Sequence, residues 1–186
     1  MTAPHARRLL EAVGPLANRS VVELACGSGE MSDAVADAVG PHGRLLAGDI
    51  AVGAVHSARA RCAQRTNVTV ARFDACQIPC ADGSVEVVVA GMLLMMVEQP
   101  PAVLAEAHRV LGNGGTFGAS VWGTAEDNPW LTLIGATLAR LELYPHTSTG
   151  TRSGGPFALG NPDSLRHLFV DAGFINVDVE RVDTMM

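Results

Sequence analysis

An open, doubly wound α/β fold, with a mostly parallel sheet and helices on both faces, is the class that this sequence predicts. Three observations carry it. Short β-branched runs alternate with stretches of helical periodicity along most of the chain. The run "VEVVVAG" (85–91) is almost continuously apolar, as a strand covered on both faces must be. The run "VVEL" (21–24) passes directly into "ACGSGE", a turn with two glycines that opens a helical stretch.

The first twenty residues read as a short amphipathic helix, and "SVVEL" (20–24) as the first strand. A helix follows from Met31 to Val39, then a strand "RLLAGD" (44–49) and a helical stretch "AVGAVHSARARCAQR" (51–65). "VTVARFD" (68–74) is the third strand and "VEVVVAG" the fourth. In "PAVLAEAHRVL" (101–111), Leu104, Ala107 and Leu111 share a face, and the glycines of "GNGG" (112–115) should stop that helix. "TFGASVW" (116–122) is the fifth strand. From 123 to 162 the alternation fails. This stretch is rich in Gly, Pro, Ser and Thr around one helical piece, "PWLTLIGATLARLEL", and residues 124–160 read as an insertion or lid. A last helix (163–172) and strand "FINVDVERV" (174–182) follow. In that strand Ile175, Val177 and Val179 alternate with Asn176, Asp178 and Glu180, the pattern of a half-exposed edge.

A chain of 186 residues is read as a single domain, 1–186, large enough for a proper core. With 48% apolar and 17% charged residues it is globular, not disordered. The net charge of −6 and scattered arginines argue against nucleic acid as a partner. The cluster Arg59/Arg61/Arg65 has helical spacing and reads as a solvated helix face. The longest apolar run, residues 87–97, is too short for a membrane span, and the N-terminus has no signal-type apolar core, so a cytoplasmic protein is expected. Cys26, Cys62, Cys76 and Cys80 form no disulfide framework and no zinc spacing, and no metal is expected.

In open parallel sheets, ligands sit beyond the carboxyl ends of the strands. Here Glu23, Asp49 and Asp74 stand at or near three successive strand ends. Gly27 and Gly29, two apart, suit a backbone that a ligand approaches closely. Asp49 lies at the separation from the glycine turn expected of a ribose-binding acid, where a carboxylate accepts both hydroxyls of a nucleoside. Each acid alone has an ordinary alternative: Glu23 as an ion-pair partner, Asp49 as a helix cap, Asp74 as a turn residue. Their succession favours the ligand-binding reading.

The stretches "VVELACGSGE", "AGDIAVGAVHSARAR", "ARFDACQIPCADGSVEVVVAG" and "EAHRVLGNGGTFGASVWG" together resemble the class I S-adenosylmethionine-dependent methyltransferases. The likeness is to the small-molecule type related to the ubiquinone and menaquinone biosynthesis enzymes. It covers most of residues 20–123, and "GPFALGNPDSLRHLFVDAGFINVDVE" (154–180) resembles the stretch around that family's sixth strand. The resemblance implies a Rossmann-like fold and S-adenosylmethionine as cofactor. Glu23 would lie under the methionine part, with Ala25, Gly27 and Gly29 as the glycine loop, alanine replacing its first glycine. Asp49 would bind the ribose, with Ile50 beside the adenine. Asp74 would meet the adenine amino group, and the Ala75 N–H its ring. Ala90 and Gly91 would offer carbonyls to the cofactor's amino group. Methionines in "MLLMMV" (92–97) could line an acceptor site or pack in the core, and Tyr144 and His146 in the lid are candidate bases.

The implied activity is methyl transfer to a small, largely apolar metabolite by in-line displacement, which needs alignment and exclusion of water more than a fixed triad. Two alternatives stand beside it: a non-catalytic cofactor-binding module on the same fold, and a nicotinamide-dependent oxidoreductase. The second lacks the third glycine of its fingerprint, since Ser32 stands there. The resemblance also implies a seventh strand between the fifth and sixth, and none is expected in this sequence. The expectation is therefore a six-stranded sheet, or one with its sixth strand loosely attached, and an open side of strand five that makes a homodimer plausible.

Overall fold

A computed structural model of the chain describes residues 4–141, 143 and 155–183. The elements are α1 (Pro4–Ala12), β1 (Ser20–Leu24), α2 (Glu30–Val39), β2 (Arg44–Asp49), α3 (Val52–Arg61) and β3 (Val68–Arg72). They continue as β4 (Val85–Gly91), α4 (Pro100–Val110), β5 (Leu111–Ser120), α5 (Pro129–Arg140) and α6 (Pro162–Asp171). The described strands form one sheet in the order β3-β2-β1-β4-β5, every pair parallel. The doubly wound class expected from the alternation is what is found.

Period-two alternation in the central strands divides the core between the two faces. Val21 of β1 and Val87 and Val89 of β4 pack with Leu9 and Val13 of α1, Val35 and Val39 of α2 and Ala58 of α3. Val22 and Leu24, with Val88 and Ala90, pack with Val103, Leu104 and Ala107 of α4 and Phe169 of α6. Position 23 therefore faces the α2 side.

Two expectations are corrected. The stretch "GNGG" does not stop α4, because the chain turns extended at Leu111 (φ −71°, ψ 130°) and enters β5 there. The glycines lie inside the strand, where Val85 pairs with Leu111 but Val87 pairs with Thr116. A step of two residues on β4 thus faces a step of five on β5, and Gly112–Gly115 absorb the excess.

The segment 174–182 is the second correction, since among the described residues it joins no ladder and the sheet has five strands. Asn176 takes a left-handed φ of 56°, which interrupts the extended run, and Ile175 is 85% exposed. Side chains hold the segment instead. Arg8 of α1 grips Glu180 through Nε and Nη2 at 2.7 and 2.9 Å, Arg181 reaches Asp127 at 2.8 Å, and Arg166 donates to the Val177 carbonyl. Phe174 and Val177 rest against the α4/α6 side of the core.

Candidate functional site

Because β1 alternates, Glu23 points to the α2 side and is only 1% exposed. One carboxylate oxygen, Oε2, accepts a 2.5 Å hydrogen bond from the Ser32 hydroxyl in the first turn of α2. The other, Oε1, is buried and has no partner. Burial pushes the Glu23 carboxyl up to about 7, the Asp49 charge adds to the rise, and the Ser32 bond offsets part of it. Burial likewise pushes the Cys26 thiol up to about 12, so it stays a thiol at neutral pH.

Past Leu24 the backbone keeps its register for one more bond, Cys26 N–H to the Gly48 carbonyl at 2.9 Å, and then turns. Ala25 enters that turn with a left-handed φ of 55°, a conformation that costs an alanine about 1–2 kcal/mol. Gly29 must be a glycine twice over. Its φ is +83°, and a Cβ there would lie 3.0 Å from the Ala58 Cα, so it lets α3 pack against the start of α2. A Cβ on Gly27 would meet nothing within 4 Å, so this backbone faces open space. Asp49 closes the turn from the next strand: Oδ2 accepts from the Gly27 N–H at 3.0 Å and Oδ1 from the Ala51 N–H at 2.9 Å. A carboxylate has about four acceptor positions, so Asp49 keeps capacity for further donors.

The arginine cluster on and after α3 does more than face solvent. Arg61 donates to the Ser28 carbonyl at 2.9 Å, and Arg65 pairs with Asp33 at 2.6 Å and with Asp37, both on α2. These contacts brace the glycine turn from outside.

At the end of β3, Asp74 is exposed, and its Oδ1 accepts from the Cys76 N–H at 2.9 Å, fixing the turn that carries Ala75. The following loop is clamped to α4 by Arg109. That guanidinium donates to the carbonyls of Ile78 and Cys80 at 2.9 Å and to Glu106 at 2.8 Å, while Glu106 accepts from the Ile78 N–H. The paired Arg109 charge, offset in part by burial, holds the Glu106 carboxyl below the ordinary range. At the end of β4, Ala90 is buried beside Leu24 of β1, and Gly91 pairs with Ser120 of β5. Met92 follows with a left-handed φ of 57°. Of the four non-glycine residues with left-handed φ among the described residues, two, Ala25 and Met92, lie just past the ends of the central strands β1 and β4, the kind of place where strain accompanies function. Ile50, next to Asp49, is 61% exposed, and Met96 is 57% exposed.

Glu23, Ala25, Gly27, Gly29, Asp49 and Ile50 therefore form one connected group. Asp74 with Ala75, and Ala90 with Gly91, stand at the same edge of the sheet on either side of it. Tyr144 and His146 lie outside the described residues. The residue that the sequence reading missed is Ser32, noticed only as the place of an absent third glycine. The sequence offered only a hydroxyl in the first helical turn after an acid-bearing strand, which does not show that the two side chains meet. Among the described residues, no group of three His, Cys, Asp or Glu could hold a metal ion, and no helix is long and apolar enough to cross a membrane.

A family profile described as a methyltransferase domain matches residues 21–115, which is 95 of the 186 residues and takes in β1 to the start of β5. The chain belongs to the methyltransferase-domain family. Known proteins agree with that membership. A demethylmenaquinone methyltransferase of Symbiobacterium thermophilum is 27% identical over 180 residues, covering 86% of this chain and 70% of that protein. An uncharacterized 37.1 kDa protein of a transposon of Streptomyces fradiae is 35% identical over 107 residues, and this chain spans only 31% of its length. An S-adenosylmethionine-dependent methyltransferase of Aquifex aeolicus shares the fold with a TM-score of 0.68 at 18% identity, covering 90% of this chain and 78% of that one. This methyltransferase domain thus has the class I methyltransferase fold, and S-adenosylmethionine is the cofactor that family membership and fold together imply. Its own atoms fit that ligand. The Gly27 backbone opens on space, Asp49 keeps acceptor capacity, and the orphaned Glu23 oxygen awaits a donor.

Proposed function

We propose that this domain transfers the methyl group of S-adenosylmethionine to O, N, S or C of a small, largely apolar metabolite. The observation that carries the reading is the Asp49 carboxylate, tied to the glycine turn and to the start of α3 yet able to accept more bonds. In this reading Asp49 accepts the ribose hydroxyls and Ile50 covers one face of the adenine. Asp74 and the Ala75 N–H read the adenine edge, and the carbonyls of Ala90 and Gly91 take donors from the amino-acid end. Glu23 supplies negative charge beneath it.

When bound, the cofactor would supply an electrophilic methyl on a sulfonium, which an electron pair of the acceptor O, N, S or C would take up with a neutral thioether as the leaving group. The protein aligns the acceptor, keeps water away and takes up any proton that the acceptor loses. The exposed apolar groups Ile50 and Met96 at the strand ends favour an apolar acceptor. The demethylmenaquinone methyltransferases, 26–27% identical, point to an aromatic, quinone-like ring. Residues 124–160 are read as a cover over that acceptor. The charge balance speaks for a small molecule and against nucleic acid. The outer edge of β5, which pairs with no described strand, supports a homodimer.

Calorimetry with S-adenosylmethionine and S-adenosylhomocysteine, followed by a screen of apolar acceptors, tests the proposal. Asp49→Ala should weaken cofactor binding by roughly 1.5–3 kcal/mol, the range for hydrogen bonds to a charged group. Unchanged affinity would remove Asp49 from the site, and binding without turnover on any acceptor would favour the non-catalytic module.

A further inference from the structure

We propose that Ser32 is a positioning residue that acts through Glu23, presenting its second carboxylate oxygen to the cationic cofactor and coupling cofactor binding to loss of a proton from that carboxyl. The inference rests on the cofactor reading above, but its first observations belong to the chain alone.

Ser32 is fully buried in the first turn of α2, and its hydroxyl donates to Glu23 Oε2 at 2.5 Å. That bond fixes the rotation of the carboxyl group. Oε1 is then left buried, without a partner, as a site for a donor that the protein itself does not supply. The titratable groups that face Glu23 from its surroundings are Asp49 at the end of β2, Cys26 just past β1 and Cys62 just past α3. None of them is a cation. A buried carboxyl among acids and thiols holds its proton to an unusually high pH, and here to about 7.

S-adenosylmethionine carries positive charge on its sulfonium and on its amino group. A positive charge near Glu23 favours the carboxylate, so binding converts the acid to carboxylate and the proton leaves to the buffer. Protons and charge balance with no further reactant. The Ser32 bond favours the charged form, so losing it raises the pH at which Glu23 ionises. A neutral cavity-filler at position 32 would show no such effect.

The test is calorimetry of S-adenosylmethionine binding to the full chain at pH 6 and pH 9, in buffers of different ionisation enthalpy. It is paired with a thermal-stability profile of the cofactor-free protein against pH. The wild type should release most of one proton per cofactor at pH 6 and almost none at pH 9. Ser32→Ala should move the midpoint of both profiles to higher pH and weaken binding several-fold at pH 7, more than at pH 9. Ser32→Thr, which keeps the hydroxyl, should restore the wild-type midpoint. Glu23→Gln should release no proton at either pH. A Ser32→Ala midpoint equal to wild type in the cofactor-free protein overturns the role of Ser32, even if that variant is less stable. Absence of proton release by a wild type that binds overturns the coupling. Failure of the wild type to bind at all sinks the cofactor reading instead, and the cofactor-free midpoints still decide on Ser32.

Discussion

The unit β1–α2–β2 and the segment 174–182 start from comparable sequence and end in opposite states. Each is a short run of apolar and acidic residues. Glu23 sits in a strand flanked by β2 on one side and β4 on the other, and the neighbouring Leu24 is fully buried. Glu180 sits in a segment without a ladder, 40% of its side chain exposed and gripped by Arg8. The backbone bonds of a central strand fix the direction of each side chain, and so can hold an unpaired carboxyl inside the protein. An edge segment held by ion pairs presents its carboxyl only to solvent and to arginine. A pattern of alternating residues predicts which side chains share a face, but a neighbouring strand is needed to make that face a site.

Leu24→Ala, in the core beneath the first region, should cost about 2–5 kcal/mol, whereas Val177→Ala in the second should cost about 1 kcal/mol or less. Denaturant titration measures both, and equal losses would erase the contrast.

The next effect is a dependence on pH. Glu23 ionises at about 7 when folded against an ordinary 4.5, so between those values the folded protein holds a proton that the unfolded chain releases. Stability is therefore fully present below about 4.5, falls as pH rises through about 7 and then levels, a change of roughly 3 kcal/mol. Glu23→Gln should flatten that part of the profile, and a wild-type slope retained in the variant would contradict the assignment.

Smaller again, Ala25→Gly relieves a left-handed alanine and should stabilise by about 1 kcal/mol, after allowance for the greater freedom of glycine in the unfolded chain. A loss of stability would show that the Ala25 side chain contributes packing that outweighs its strain. The smallest effect is expected from Arg8→Ala, which frees Glu180 on the surface. Global stability should barely change, while amide exchange across 175–180 should accelerate. In the wild type, exchange there should already outpace β4, and equal protection would mean that the segment is firmly paired.

Much of the first region was legible in the sequence. The glycines after "VVEL", the acid at the end of each early strand and the valine run of β4 each reflect a local requirement: a left-handed turn, an acceptor at a strand end, a face buried twice. Ser32 was not legible as a partner of Glu23, because the contact spans nine residues and depends on how α2 packs over β1. Nor did the pattern reveal the loss of the last strand. Ile175, Val177 and Val179 alternate well, but nothing in that alternation records the left-handed Asn176 or the pull of Arg8 on Glu180. The glycines of "GNGG" misled for a related reason: glycine marks an irregularity, and whether that irregularity ends a helix or bulges a strand is decided by the neighbouring β4.

On the proposed function, the ends of β1, β2, β3 and β4 form the cofactor site and the last segment takes no part in it. Amide hydrogen exchange with and without saturating S-adenosylmethionine tests it most directly. Added protection is predicted at residues 25–29, 49–52 and 74–76, with residues 175–183 unchanged. Protection that appears in 175–183, or a glycine turn whose exchange ignores the cofactor, would contradict it.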